Sequence, residues 1–141
     1  MVSVVRSVKT QIALLAATLL VLIIDISLRY KGYRWTSRWL LRTSPTPDAS
    51  LNDVLVAWQT ARLIDRAARR VNASCLRRSL ALWWWLRWKG LPSELRIGMN
   101  KIDGHAWIVH HNVVINDSAD VAQKFVELDP TMLSPNQMAR L

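Results

Sequence analysis

The chain has 141 residues, enough for one domain with its own hydrophobic core and no covalent staples. It is 51% hydrophobic and 21% charged, and its single cysteine excludes an intrachain disulfide and a Cys-rich zinc site. A formal charge of +9 is high for this length and favours acidic partners, whether anionic lipid, nucleic acid or an acidic peptide.

The N-terminal segment, residues 1–42, is apolar and then basic. Arg6 and Lys9 precede a thirteen-residue hydrophobic run from Ile12 to Ile24, with Thr18 inside it. This imitates a signal peptide, yet Asp25, Arg29, Lys31, Arg34 and Arg38 follow where a small-residue cleavage site would stand. Thirteen residues make a helix of roughly 20 Å, short of a bilayer core of about 30 Å. Extending the run to Leu28 would take Asp25 to membrane depth, at a cost of a few kcal/mol. The segment is therefore expected to be a buried or partner-facing helix, with a membrane-surface helix and basic collar as the rival.

Residues 43–50 hold two prolines among small polar residues and read as a linker. The remainder, 51–141, reads as the core of the domain. Ser50 is the expected N-cap of a helix over 51–71, with Asp53 favouring its first turn. Leu51, Val54, Leu55, Trp58, Ala61, Ile64, Ala68 and Val71 recur at helical spacing, and Arg62, Arg66, Arg69 and Arg70 fall on the wet face. A second helix should run from Cys75 to Lys89, stopped by Gly90 and Pro92. Trp83, Trp84, Trp85 and Trp88, half of the eight tryptophans, lie on it as a Trp-rich core or a peptide-binding wall.

The period then changes from 3.6 to 2. Leu95, Ile97 and Met99 alternate with Arg96 and Gly98 as a strand, and Asp103-Gly104 is a turn. Residues 105–109 and 113–117 form two more strands around His110-His111-Asn112, and residues 125–128 are a further strand or a docked tail. The order predicts an α+β fold, a helical N-terminal half packed on a small antiparallel sheet.

Three residues carry chemistry in this arrangement. A thiol attacks well only when ionised, against an ordinary pKa of about 8.5. Cys75, at a helix start, has unpaired N–H groups and the positive end of the dipole beside it, with Arg77 and Arg78 nearby. A histidine as base and acid and a carboxylate to orient it complete such a site. A three-residue loop at 110–112 pairs Val109 with Val113 and so places His105 opposite Asp117, on one face of the sheet. Cys75, His105 and Asp117 are the candidate triad. His110 and His111 face opposite ways on a strand and lack a companion H-E-x-x-H or C-x-x-C pattern, so no metal is expected. No cofactor motif is present, and no RNP, Gly-rich or zinc-finger pattern turns the basic and aromatic residues into a nucleic-acid site.

The run Cys75-Leu76-x-Arg78-Ser79-Leu80-Ala81-Leu82, then Lys89-Gly90, Leu95-x-Ile97-Gly98 and His105-Ala106-Trp107-Ile108-Val109, resembles the lasso-peptide biosynthesis B2 family. These are leader peptidases with a transglutaminase-like, papain-related fold. The motifs cover about 75–117, and a weaker likeness reaches back to about residue 15. The resemblance implies that Cys75 attacks the amide joining leader to core in a precursor peptide, that His105 activates the thiol and protonates the leaving amine, and that Asp117 orients His105. It implies an ATP-dependent cyclase that closes the freed α-amine on an acidic side chain. The lone thiol fits a reducing, cytoplasmic compartment, with membrane association through the N-terminal helix as the rival setting. Fused members carry an N-terminal winged-helix domain; residues 1–74 are too short and too hydrophobic to supply one, so leader recognition is expected from a separate B1 protein. Of the oxyanion donors upstream, Asn72 and the Cys75 N–H, the latter is expected. Acyl transfer to an amine, as transglutaminases perform, is the enzymatic rival, and a non-catalytic basic membrane-surface or peptide-binding subunit is the other.

Overall fold

The computed structural model describes residues 1–130, 133, 134, 138 and 141. Four helices precede a small sheet. They are α1 (Val2–Tyr30), α2 (Gly32–Thr43), α3 (Val54–Arg70) and α4 (Cys75–Trp88). Strands β1 (Glu94–Met99), β2 (Gly104–His110) and β3 (Val113–Val114) follow, then the single turn α5 (Val121–Lys124) and β4 (Val126–Leu128). The sheet is antiparallel throughout in the order β3-β2-β1-β4. The architecture is α+β.

The centre of the molecule is α4. Leu76, Ser79, Leu80, Ala81, Leu82 and Leu86 are buried around much of its circumference, because α1, α3 and the sheet all pack on it. A helix apolar on most sides has no other place to go than the middle of a fold. Its end is set by Gly90, whose φ of +77° suits glycine, and whose carbonyl accepts the Asp48 N–H at 3.1 Å. The linker is thereby tied to the end of α4. Trp83, Trp84 and Trp85 are partly buried against the core, while Trp107 on β2 is fully buried.

The first helix is longer than its apolar run. It continues through Asp25 to Tyr30 because that carboxylate is not stranded: Arg29 lies 3.1 Å from it, and Arg77 of α4 forms a second ion pair. Twenty-nine residues span about 44 Å, so this helix is long and apolar enough to cross a membrane by length and composition. One face, Leu14, Ala17, Leu20, Val21 and Ile24, is buried against α3 and α4. The other, Val5, Val8, Ile12, Leu15, Leu19, Leu22 and Ile26, is exposed. Gly32, with φ +81°, turns the chain into α2, and a buried Ser27–Thr36 hydroxyl pair at 2.6 Å locks the corner.

Two local expectations are corrected. The cap of α3 is Asp53, whose Oδ1 accepts the Val56 N–H at 3.0 Å; Ser50 instead bonds Asp48 in a turn, so the helix begins at Val54. The hairpin loop has two residues, with Val109 paired to Val114 and His110 to Val113. His111 and Asn112 adopt φ of 45° and 63°, the pair of positive values a tight hairpin turn needs. The ladder is shifted by one from the three-residue reading, and β3 ends at Val114.

His110 explains the shift. Its buried ring accepts the Asp53 N–H at Nε2, 3.2 Å away, and so donates from Nδ1 to the Pro92 carbonyl. His111 bonds the Leu51 carbonyl at 2.7 Å. The two histidines pin the entry of α3 to the hairpin, a tie between residues nearly sixty positions apart that holds both in strand and turn.

Candidate active site

Cys75 is the first residue of α4. Asn72, at φ +50°, closes α3 in the left-handed conformation that asparagine tolerates, and Ser74 in extended backbone leads into the next helix. The Arg78 N–H bonds the Ser74 carbonyl at 3.0 Å, which leaves the Leu76 N–H free of the helix ladder. That N–H and the Cys75 thiol both point at the main-chain oxygen of Leu141, at 3.4 and 3.1 Å. The donor directed at an oxygen beside the thiol is thus the N–H of Leu76, one residue beyond the expected Cys75.

His105 lies on β2 opposite Gly98 of β1. Its ring stacks on Phe125 with centroids 4.9 Å apart, and on Trp107 at 6.1 Å. A side chain on Gly98 would meet the Phe125 Cβ at 2.6 Å, so glycine there is what lets Phe125 reach the histidine. The ring is clamped by aromatics at one face, and its Nε2 is hydrogen-bonded to Asp117 Oδ2. With Nε2 so engaged, Nδ1 is the nitrogen left for the thiol.

Asp117 arrives by a route other than strand pairing. Ile115 makes the last ladder bond, to the Ile108 carbonyl at 2.9 Å, and the chain then departs from β2. Asn116 steers the departure: its Oδ1 accepts the Ile108 N–H at 2.8 Å and its Nδ2 donates to Ser79 Oγ at 3.0 Å. Ser79 in turn donates to the Ala106 carbonyl at 3.1 Å, joining α4 to β2 next to His105 in sequence. Asp117 Oδ1 accepts the Ser118 N–H at 2.7 Å, leaving Oδ2 for His105. The structure therefore brings Cys75, His105 and Asp117 together, although the opposed-pair register that suggested it is absent. Phe125, Asn116 and Ser79 were not legible as contributors; the sequence carries no periodic signal for any of them.

The electrostatics run in one direction. Burial opposes ionisation of Cys75, but the hydrogen bond with His105, that with the Ala106 backbone, and the charges of His105 and Arg78 outweigh it and hold the thiol below its ordinary value. The interaction with Cys75 raises His105 above the usual imidazole value; burial works against this, and Asp117 reinforces it. Burial would raise Asp117, yet His105 and the Ser118 N–H keep it below the usual carboxylate range. Both changes favour thiolate beside imidazolium. Of the two basic neighbours, Arg78 contributes, paired at 3.0 Å with Asp65, while Arg77 turns away to Asp25.

The family model of the transglutaminase-like superfamily matches residues 20–129. The chain belongs to this superfamily. The matched region of this transglutaminase-like chain takes in the latter part of α1, all of α2 to α4 and the sheet through β4. Its chemistry is of the cysteine-protease or acyltransferase type. No curated protein and no solved structure matches the chain significantly.

Proposed function

We propose that this transglutaminase-like protein is a cysteine leader peptidase of the lasso-peptide B2 kind, with Cys75 as nucleophile, His105 as base and acid, and Asp117 as the residue that orients His105. The observation that carries this reading is a helix-start thiol whose ionisation His105 and Arg78 favour, with His105 hydrogen-bonded in turn to Asp117. The run from Cys75 to Leu82 and the His105-Ala106-Trp107 segment support the finer reading.

In the proposed reaction the Cys75 thiolate adds to the carbonyl carbon of the amide between leader and core. The developing oxyanion sits at the Leu76 N–H, a preorganised donor at the positive end of α4. The imidazolium protonates the amine as the C–N bond breaks, releasing the core with a free α-amine and leaving the leader as a thioester on Cys75. His105 then takes a proton from water, hydroxide adds to the thioester, and the thiolate departs with the leader acid released. A separate leader-binding B1 protein delivers the precursor, and a cyclase uses the freed amine.

The test is incubation of the purified protein with a leader–core peptide and its B1 protein, with and without a primary amine. Free leader acid and free core in equal amounts are expected. Incorporation of the amine into the leader without hydrolysis would make the protein an acyltransferase. We also propose peripheral attachment to anionic membrane through the exposed face of α1, supported by the basic residues at either end of its apolar stretch, Arg6 and Lys9 on one side and Arg29, Lys31 and Arg34 on the other.

A further inference from the structure

One residue of the chain lies on the candidate nucleophile as a substrate would. The main-chain oxygen of Leu141 lies 3.1 Å from Cys75 Sγ and 3.4 Å from the Leu76 nitrogen, between the nucleophile and the oxyanion donor where a scissile carbonyl must sit. The residue is only 4% exposed. It lies over the end of the β1–β2 ladder, where Met99 pairs with Gly104, the residue just before His105. A Cβ on Gly104 would come within 2.4 Å of Leu141 Cδ2 and 2.8 Å of Met99 Sδ, closer than real side chains approach. The leucine therefore occupies space that exists because residue 104 has no side chain, and Met99 stands beside it.

We propose that this recess, floored by Gly104 and walled by Met99, is the acyl-side specificity pocket: it receives the aliphatic side chain of the residue whose carbonyl Cys75 attacks, and Leu141 holds that place until substrate displaces it. The proposal rests on the peptidase reading for its substrate class, a peptide with a leucine-like residue just before the cleaved bond. An apolar recess without a charged partner rejects acidic and basic side chains, because their desolvation would go uncompensated. A missing methylene group in such a pocket is worth about ten- to two-hundredfold in rate.

The pocket is tested by alkylation of Cys75 with N-acyl aminoacyl chloromethyl ketones, followed by mass spectrometry. The thiolate displaces chloride, and the amino-acid side chain enters the acyl-side position, so the rate reports the pocket without any peptide turnover. The leucyl reagent should label Cys75 about tenfold or more faster than the alanyl or aspartyl reagent. Gly104→Ala should erase that preference, lowering the leucyl rate far more than the alanyl rate. Met99→Ala should move the preference toward a larger side chain, phenylalanine over leucine, and serves if Gly104→Ala fails to fold. Leu141→Ala, which removes the occupant, should speed labelling by the leucyl reagent. Equal rates for the reagents on the unaltered protein, or variants that slow every reagent alike, would overturn the pocket. Ordered labelling without leader release from precursor would leave the pocket standing and remove the peptidase reading; leader release with no preference would do the reverse.

Discussion

Cys75 is buried enough that, left to desolvation alone, its thiol would be harder to ionise than free cysteine; His105 and Arg78 reverse the balance. Alkylation by iodoacetamide against pH should therefore show half-maximal rate below the value of a free thiol. In His105→Ala the largest opposing contributions vanish and the midpoint should move up past that of the unaltered protein. An unmoved midpoint would mean that His105 does not touch the thiol in solution. The rate of peptide cleavage should be bell-shaped, its acid limb set by the lowered thiol and its basic limb by the raised imidazole. In the proposed mechanism Asp117 acts by orienting His105, so Asp117→Ala should lower kcat/KM by about a hundred- to ten-thousandfold. The stability linkage has a definite sign. Asp117 lies below its unfolded value, so its contribution is present above that value and is lost as pH falls through the lowered one. The gap in Tm between the protein and Asp117→Asn should close in that acid window; a gap independent of pH would show that the carboxylate charge is not engaged.

The elements place these residues with ties that have little to do with periodicity. Asn116 bridges the Ile108 N–H and Ser79, and its loss leaves polar groups unpaired at the junction of α4 and β2. Asn116→Ala should cost about 1–3 kcal/mol and reduce activity beyond what the lower Tm explains, since Asp117 is released from its position. Gly98→Ala should push Phe125 off His105 and destabilise the fold by about 1–3 kcal/mol, measured by denaturant titration. An unchanged midpoint would contradict the contact. Helix α3 and strand β1 were legible from their periods of 3.6 and 2, whereas α4 was legible from its stop at Gly90 and β2 from the turn at Asp103-Gly104. The hairpin register was not. His111-Asn112 lacks the glycine that normally announces a two-residue turn, and what holds it there is His110 reaching Asp53 and Pro92, contacts between distant parts of the chain. The candidate pair His105 and Asp117 was reached by an incorrect register and is made by a loop that Asn116 directs. Phe125 and Leu141 reach the site only through the tertiary fold, which no local pattern encodes.

For the molecule as a whole, α1 is two-faced: its buried stripe belongs to the core, and its exposed stripe meets whatever surrounds the protein. With a net charge of +9, vesicles containing anionic lipid should bind the protein, and added salt should weaken the binding. Leu15→Glu with Leu19→Glu should abolish it without unfolding, since both side chains lie on the exposed face. Binding that survives these changes would place the contact elsewhere. The fold brings α4 and β2 together through shared core packing and the Ser79 bonds to the Ala106 carbonyl and Asn116, so the thiol and imidazole come from two joined layers. In the proposed function this junction cleaves a peptide through Cys75. Mass spectrometry of a leader–core peptide incubated with the protein and its leader-binding partner tests it most directly. Separate leader acid and core with a free α-amine are expected, with a leader thioester trapped on Cys75 at short times and no products from a folded Cys75→Ala variant. Equal leader release by Cys75→Ala would contradict it.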